Sequence, residues 1–368
     1  MSEAADPQPE GTRPAQPQLT PPTLRSLVHE PVDWSTLPAS ERTISLGGLA
    51  APKLAAFTLS TRLRGRSVLT DTDLTPDEIG ELLDTAARLK RMHKRHEAHA
   101  YLPGKTLGLL FQHPSTRTRV AFEAGMAQLG GQAIFLGVND LQMKRGETIG
   151  DTAQVLSRYV DALVARVSDH EVLVQLQASA SIPVLSGLSD THHPLQAYAD
   201  LLTLQEKCGE LQGLKLAYLG DGNNVACSLL LSGAAMGVSV AVASPVKYQP
   251  DPAVVTQATW LASASGATVT ITDDPYQAAR DADAVYTDVH VSMGQTDGAA
   301  RAVALAPYKV TPEIMGVARP SAIFMHCLPM HREEEVSAEV ADGPQSIIFD
   351  QAENRLHLQK ALLLHTMC

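Results

Sequence analysis

The sequence predicts an α/β protein of two doubly wound domains, each a mostly parallel sheet with helices on both faces, linked by long helices. Three observations carry that prediction. Short apolar runs alternate with helix-length amphipathic segments over most of the chain, which is the pattern of parallel strands covered on both sides. The alternation pauses at a long helical segment, 193–207, and then restarts, so the strands divide into two sets. A length of 368 residues exceeds one average core and suits two domains of ordinary size.

Taken in order, the first 40 residues hold eight prolines and no apolar core segment. They are neither a signal peptide nor an arginine-rich transit peptide, and 1–49 reads as a disordered or extended N-terminal segment. Ordered structure is expected to begin within 50–69. Thr75-Pro76-Asp77-Glu78 then combines an N-cap, a first-turn proline and a capping-box glutamate. Ile79, Leu82, Leu83, Ala86 and Leu89 follow at helical spacing, so one face of that helix is buried. At its end the basic run Lys90 to Arg95, with His93, His96 and His99, reads as solvated helix rather than as a polyanion or metal site.

Strands are expected at 106–111, 133–137, 162–167 and 182–185, with helical patterns beginning near Val120, Asp151 and Asp169. After the 193–207 helix come expected strands at 214–219, 238–243, 268–271, 284–289 and 323–327. The segment 352–367 is again helical and amphipathic, and a terminal helix of this kind packs back across an earlier domain. The expected domains are therefore 50–192 plus 352–368, and 193–351.

Composition removes several function classes. Forty acidic against 29 basic residues give a net charge of −11, which argues against a nucleic-acid partner. The charge-free stretch 222–246 is split by Gly233 and Gly237 and punctuated by polar residues, so it reads as a buried helix and strand rather than a membrane span. Four widely spaced cysteines, Cys208, Cys227, Cys327 and Cys368, suggest neither a zinc site nor a disulfide framework. A cytoplasmic setting fits them.

In open α/β sheets ligands collect beyond the carboxyl ends of the strands. In the first half that edge receives Ser115-Thr116-Arg117-Thr118-Arg119, Arg166 and His192-His193-Pro194-Leu195-Gln196. Helix-start amides, hydroxyls and guanidinium groups in such a run suit a phosphate dianion. In the second half the edge receives Gly220-Asp221-Gly222-Asn223-Asn224, the stretch from Asp288 through Ser292 and Met293 to Gly294, and His326-Cys327-Leu328-Pro329. Each has a structural explanation taken singly; their coincidence on one edge does not.

These motifs closely resemble those of the aspartate/ornithine carbamoyltransferase family, from about Ala50 to the C-terminus. S-T-R-T-R and H-P-x-Q are similar to motifs of the whole family and imply carbamoyl phosphate as first substrate. D-x-x-x-S-M-G and H-C-L-P resemble the ornithine-selecting motifs, and G-D-G-N-N and A-E-N-R (352–355) agree with that branch. The resemblance implies that Ser115, Thr116, Arg117 and Thr118 hold the phosphate, and that Arg166, His193 and Thr118 donate to the carbamoyl oxygen. It further implies that Gln196 and the Leu328 carbonyl orient the carbamoyl amide, that Arg355 reaches the same site, and that Cys327 lies beside the δ-amine. Asn224, Ser292 and Met293 would take the α-carboxylate of L-ornithine and Asp288 its α-amino group. Among these, Arg117, Arg166, His193, Gln196, Asp288 and Cys327 would be catalytic.

Gln142 matches a residue that the family lends to a neighbouring subunit, so the resemblance implies a homotrimer or a multiple of one. It implies no metal and no organic cofactor. His290 stands where a tryptophan is usual, and Cys227 where histidine is frequent. Two other enzyme readings stay open here: carbamoyl transfer to a related amine such as putrescine or N-acetylornithine, and a nucleotide-dependent dehydrogenase built on Gly220-Asp221-Gly222. Val225 and the lack of an acid after Ala243 speak against the second. A non-catalytic sensor of the same fold is the third alternative.

Overall fold

The computed structural model describes residues 54, 57–137, 139, 141–292 and 295–368, with the exception of the Lys144 side chain. The expected N-terminal extension, 1–49, lies outside the described residues. So does Met293.

The first sheet has four parallel strands in the order β2-β1-β3-β4: β1 (Thr106–Phe111), β2 (Gln132–Gly137), β3 (Ala162–Arg166) and β4 (Val184–Leu188). Around it run α1 (Pro76–Lys94), α2 (Thr116–Gln128), α3 (Ile149–Leu156), α4 (His170–Ser179) and α5 (Pro194–Cys208). The second sheet has five parallel strands in the order β7-β6-β5-β8-β9: β5 (Lys215–Leu219), β6 (Ser239–Ala243), β7 (Val269–Thr272), β8 (Ala284–Thr287) and β9 (Ile323–His326). Its helices are α6 (Asn224–Ala235), α7 (Pro252–Ser265), α8 (Pro275–Ala279), α9 (Gly298–Leu305), α10 (Pro312–Met315) and α11 (Ala338–Ala341), and α12 (Ile348–Met367) closes the chain.

Both strand orders reverse direction once. The reversal falls between β1 and β3 in the first sheet and between β5 and β8 in the second, and such switch points leave a crevice at the strand ends. β1 is buried along nearly its whole length, as a central strand covered on both faces must be. α1 starts where the capping box predicts, with Thr75 accepting from the Glu78 amide and Glu78 from the Thr75 amide. α12 packs against α1, α2 and α5, and hydrogen bonds such as His365 to Thr85 (2.9 Å) and Lys360 to Gln128 (2.8 Å) join it to the first sheet's helices.

Several expectations need correction. The fourth strand begins at Val184 rather than Ile182, because Pro183 has no N–H to give a ladder, and it extends to Leu188. Strands expected to reach Val289 and Cys327 stop at Thr287 and His326, so Asp288 and Cys327 leave their sheets. Lys90 and His99 are buried rather than solvated. The Lys90 ammonium finds Glu206 and Asn354 at 2.7 Å each, on α5 and α12, which compensates its burial.

Candidate active site

On the first sheet, β1 leads into α2 through Ser115, whose backbone is extended and whose hydroxyl makes no capping bond to the helix. The leading amides of α2 thus stay available to an anion. Ser115, Thr116 and Arg117 line a cleft of about 650 Å³, and Thr118 lies buried behind them. Arg119 does not join them: it pairs with Glu123 at 2.9 Å and lies 3.7 Å over the Phe135 ring. Arg166 ends β3 at a register shift, where Ala165 faces Ser186 but Arg166 faces Leu188. That bulge re-aims the side chain at the strand end.

Arg355 reaches the same cleft from α12, donating to Gln196 Oε1 at 3.0 Å and to Thr118 Oγ1 at 2.6 Å. The Gln196 amide nitrogen in turn donates to Asp200 at 2.9 Å, so both ends of that amide are fixed. Asp200 also accepts from Gln351 (2.7 Å) and Tyr286 (3.0 Å), and burial pushes its carboxyl up to about 7.

The electrostatics point to an anion. Among the described residues no carboxylate forms a salt bridge with Arg117, Arg166 or Arg355, although the three line one cleft and repel one another. Burial first, and mutual repulsion second, bring Arg166 and Arg355 down to about 10 each. His193 is held neutral well below the usual histidine range, by burial and then by Arg355 and Arg166. Arg166 Nε, Arg355 Nε and His193 Nδ1 are buried without a hydrogen-bond partner. Clustered donors with this much unspent capacity are costly unless a ligand accepts from them.

The second sheet supplies the opposite wall. The Cys327 thiol donates to Asp288 Oδ1 at 3.0 Å, and burial beside that carboxylate raises its pKa well above the ordinary value, so it stays protonated. Asn223 Nδ2 donates to Asp288 Oδ2 at 2.8 Å and to Ser292 Oγ at 3.2 Å. Its Oδ1 accepts from the Val225 and Ala226 amides, capping α6. Asn224 lines the cleft too, but its side chain donates to the Ser189 carbonyl at 2.6 Å. Leu328 lines the cleft with φ of 60° after β9, its N–H held by His326 Nδ1 at 2.8 Å.

One cleft therefore brings together Ser115, Thr116, Arg117, Arg166, His193, Gln196, Asn224, Asp288, Ser292, Cys327, Leu328 and Arg355. Gln142 is not among its lining residues and is exposed on a single 3-10 turn, Gln142–Arg145. Asn223 is the residue that sequence reasoning placed in a motif but gave no role, although an asparagine opening a helix after a glycine turn is itself an N-cap signal. Asp288, His326 and Cys327 lie close enough to share a cation, but their atoms are committed to Leu328, Glu335 and one another. Among the described residues no helix is long and apolar enough to cross a membrane.

Comparison with known proteins agrees with this geometry. The family model described as aspartate/ornithine carbamoyltransferase, carbamoyl-P binding domain, matches residues 66–206, and that of the Asp/Orn binding domain matches residues 212–366. The ornithine carbamoyltransferase of Thermococcus kodakarensis is 51% identical over 306 residues, which is 83% of this chain and 97% of that protein. That of Bacillus subtilis is 51% identical over 82% of this chain and 94% of its own length. The solved structure of ornithine carbamoyltransferase from Pyrococcus furiosus superposes with a TM-score of 0.81 at 49% identity, covering 83% of this chain and 98% of that one. With two family models side by side across most of its length, and one cleft built by both of the matched regions, the chain belongs to the aspartate/ornithine carbamoyltransferase family.

Proposed function

We infer that this protein transfers the carbamoyl group of carbamoyl phosphate to the δ-amine of L-ornithine, giving L-citrulline and phosphate. The observation that carries the reading is one cleft with two unlike walls. Three arginines without acidic partners stand on one side, and the Asp288 carboxylate with its thiol and amide neighbours stands on the other.

In this reading the α2 amides with Ser115, Thr116, Arg117 and Thr118 take the phosphate, where dianion and guanidinium form short charge-assisted bonds. Arg166 and neutral His193 donate to the carbamoyl oxygen, on which negative charge grows as the carbon becomes tetrahedral. Gln196 and the Leu328 carbonyl orient the amide, and Arg355 steadies Gln196 and Thr118 from α12. Asp288 takes the α-ammonium of ornithine, while Ser292, Asn224 and Met293 belong to its carboxylate, with Asn223 added by its contacts. The δ-amine must be neutral to attack, and the desolvated space beside the protonated Cys327 thiol favours that form. Its lone pair forms the new C–N bond, the C–O bond to phosphate breaks, and the proton lost by nitrogen ends on the departing phosphate. The reaction calls for no metal and no organic cofactor.

Residues 50–192 with 352–368 then form the carbamoyl-phosphate domain and 193–351 the ornithine domain. The bonds from α12 to α1 and α2 support that division. Exposed Gln142 serves a neighbouring subunit's cleft in a homotrimer or a multiple of one, which accounts for its absence from the lining of its own. A cytoplasmic location fits the four free cysteines.

The test is citrulline formation by the purified protein from carbamoyl phosphate with ornithine, putrescine or N-acetylornithine, repeated with Arg117→Ala. Ornithine is the expected acceptor, and the variant is expected to lose about 100-fold or more, the scale of deleting a transition-state charge partner. Equal turnover of putrescine would move the reading to a related amine, and an unimpaired Arg117→Ala would overturn the placement of the phosphate.

A further inference from the structure

Asp71 belongs to none of the motifs above, yet it is a carboxylate with 1% exposure between the two sheets. It sits in the turn after Val68, whose backbone pairs with β4 through Val184 (3.0 Å) and Ser186 (2.8 Å). The turn is itself stiffened by Asp73, which accepts from the Leu69 and Thr70 amides at 2.6 and 2.8 Å. Opposite stands α6 of the second sheet. Ser228 Oγ donates to Asp71 Oδ2 at 2.7 Å, and Ser232, one helical turn on, donates to Oδ1 at 3.2 Å. His192 Nδ1 lies 2.8 Å from Oδ2, and the Tyr198 hydroxyl donates to the Asp71 carbonyl at 3.1 Å.

The same Ser228 oxygen accepts the backbone N–H of His193 at 2.7 Å. A hydroxyl has one proton; with it committed to Asp71, Ser228 can only accept from His193, and the carboxylate strengthens that acceptance through the chain of bonds. The His193 ring has little other hold, since its Nδ1 is buried without a partner. The ring's place is therefore set by its backbone, at the residue that opens α5 ahead of Pro194.

We propose that Asp71 is a positioning residue for carbamoyl transfer, acting through Ser228 to fix the backbone of His193 and so aim its ring. The proposal rests on the reading of His193 as a donor to the carbamoyl oxygen. A donor displaced by a fraction of an ångström from the developing oxyanion stabilises the transition state less. Ground-state binding, carried by the phosphate and ornithine contacts, is barely touched, so the loss falls on kcat rather than KM.

The experiment compares kcat, KM and melting temperature for Asp71→Asn, Ser228→Ala, the double variant, Ser232→Ala and His193→Asn. Asp71→Asn and Ser228→Ala are each expected to lower kcat about tenfold, with both KM values within about threefold and the double variant no slower than the slower single. Ser232→Ala touches the same carboxylate but not His193, so its kcat is expected within about twofold of the parent. A folded Ser228→Ala protein with parental kcat, or a double variant whose losses multiply, overturns the proposal. If Asp71→Asn does not fold, Ser228→Ala decides alone. His193→Asn separates the two levels: if it keeps full kcat the reading of His193 itself fails, whereas a slow His193→Asn beside a fast Ser228→Ala removes only the role of Asp71.

Discussion

Asn223 uses one amide for two purposes. Its oxygen caps α6, and its nitrogen reaches Asp288 and Ser292 across the second sheet's strand ends. Serine caps a helix about as well as asparagine but is too short to span to Asp288. Asn223→Ser is therefore expected to keep its melting temperature while KM for ornithine rises about tenfold to a hundredfold, the cost of one hydrogen bond to a charged group. Steady-state kinetics at saturating carbamoyl phosphate measures it, and an unchanged KM would remove Asn223 from the ornithine site. The sequence placed both asparagines at a strand end but could not rank them, because adjacent residues at a helix start point in different directions. The Ser115 to Arg119 run holds the same lesson. Four of its residues face the cleft or support it, while Arg119, identical in chemistry to Arg117, turns through the helix to Glu123 and Phe135.

Among the elements, the turn from β5 into α6 depends on Gly222. A Cβ there would lie 2.2 Å from the Pro250 nitrogen and 2.5 Å from the Gln249 carbonyl carbon, both backbone atoms that cannot rotate aside. The glycine lets that turn accept the neighbouring chain and donate its N–H to the Tyr248 carbonyl at 2.8 Å. Gly222→Ala must push the turn away, carrying Asn223 with it. The expected result is a KM for ornithine raised about tenfold or more, with a loss of about 1–3 kcal/mol in stability, while KM for carbamoyl phosphate changes little. Separate titration of the two substrates checks it, and equal losses for both would mean that the turn supports the whole cleft. Apart from the edge strand β4, whose end lies three residues beyond the expected one, strand positions were legible to within a residue or two because the central strands are mostly apolar runs. What periodicity could not give was the register shift at Arg166 or the early ends of β8 and β9, since these depend on the neighbouring strand.

At the scale of the whole molecule, two parallel sheets presenting motifs at the carboxyl ends of their strands were readable from the alternation of strands and helices, but the strand orders that set the two switch points, and the burial of the basic groups beneath α12, were not. Lys90, His99 and His357 look like surface residues in sequence and are buried where α1 and α12 meet. Periodicity marks apolar faces, and a charged side chain that finds partners inside leaves no periodic mark. His357 shows the consequence most sharply. Burial first, then Lys360, Lys90, His93 and Lys94, bring its pKa down to about 2, and its Nδ1 has no partner. Because the folded pKa lies below the unfolded value near 6.5, the fold holds His357 neutral. Its contribution is complete above pH 6.5 and is lost as pH falls, because the unfolded chain takes up a proton that the folded chain refuses. Between pH 7.5 and 5.5 that loss is about 1.4 kcal/mol, or roughly 2–4 °C in melting temperature. His357→Gln cannot titrate, so the melting-temperature gap between parent and variant at pH 7.5 is expected to narrow by that amount at pH 5.5. His193, His290 and His365, also buried with lowered pKa values, keep the same sign and stay present in both proteins, so they cancel in the difference. A gap that stays constant from pH 7.5 to 5.5 would mean that His357 is protonated in the fold.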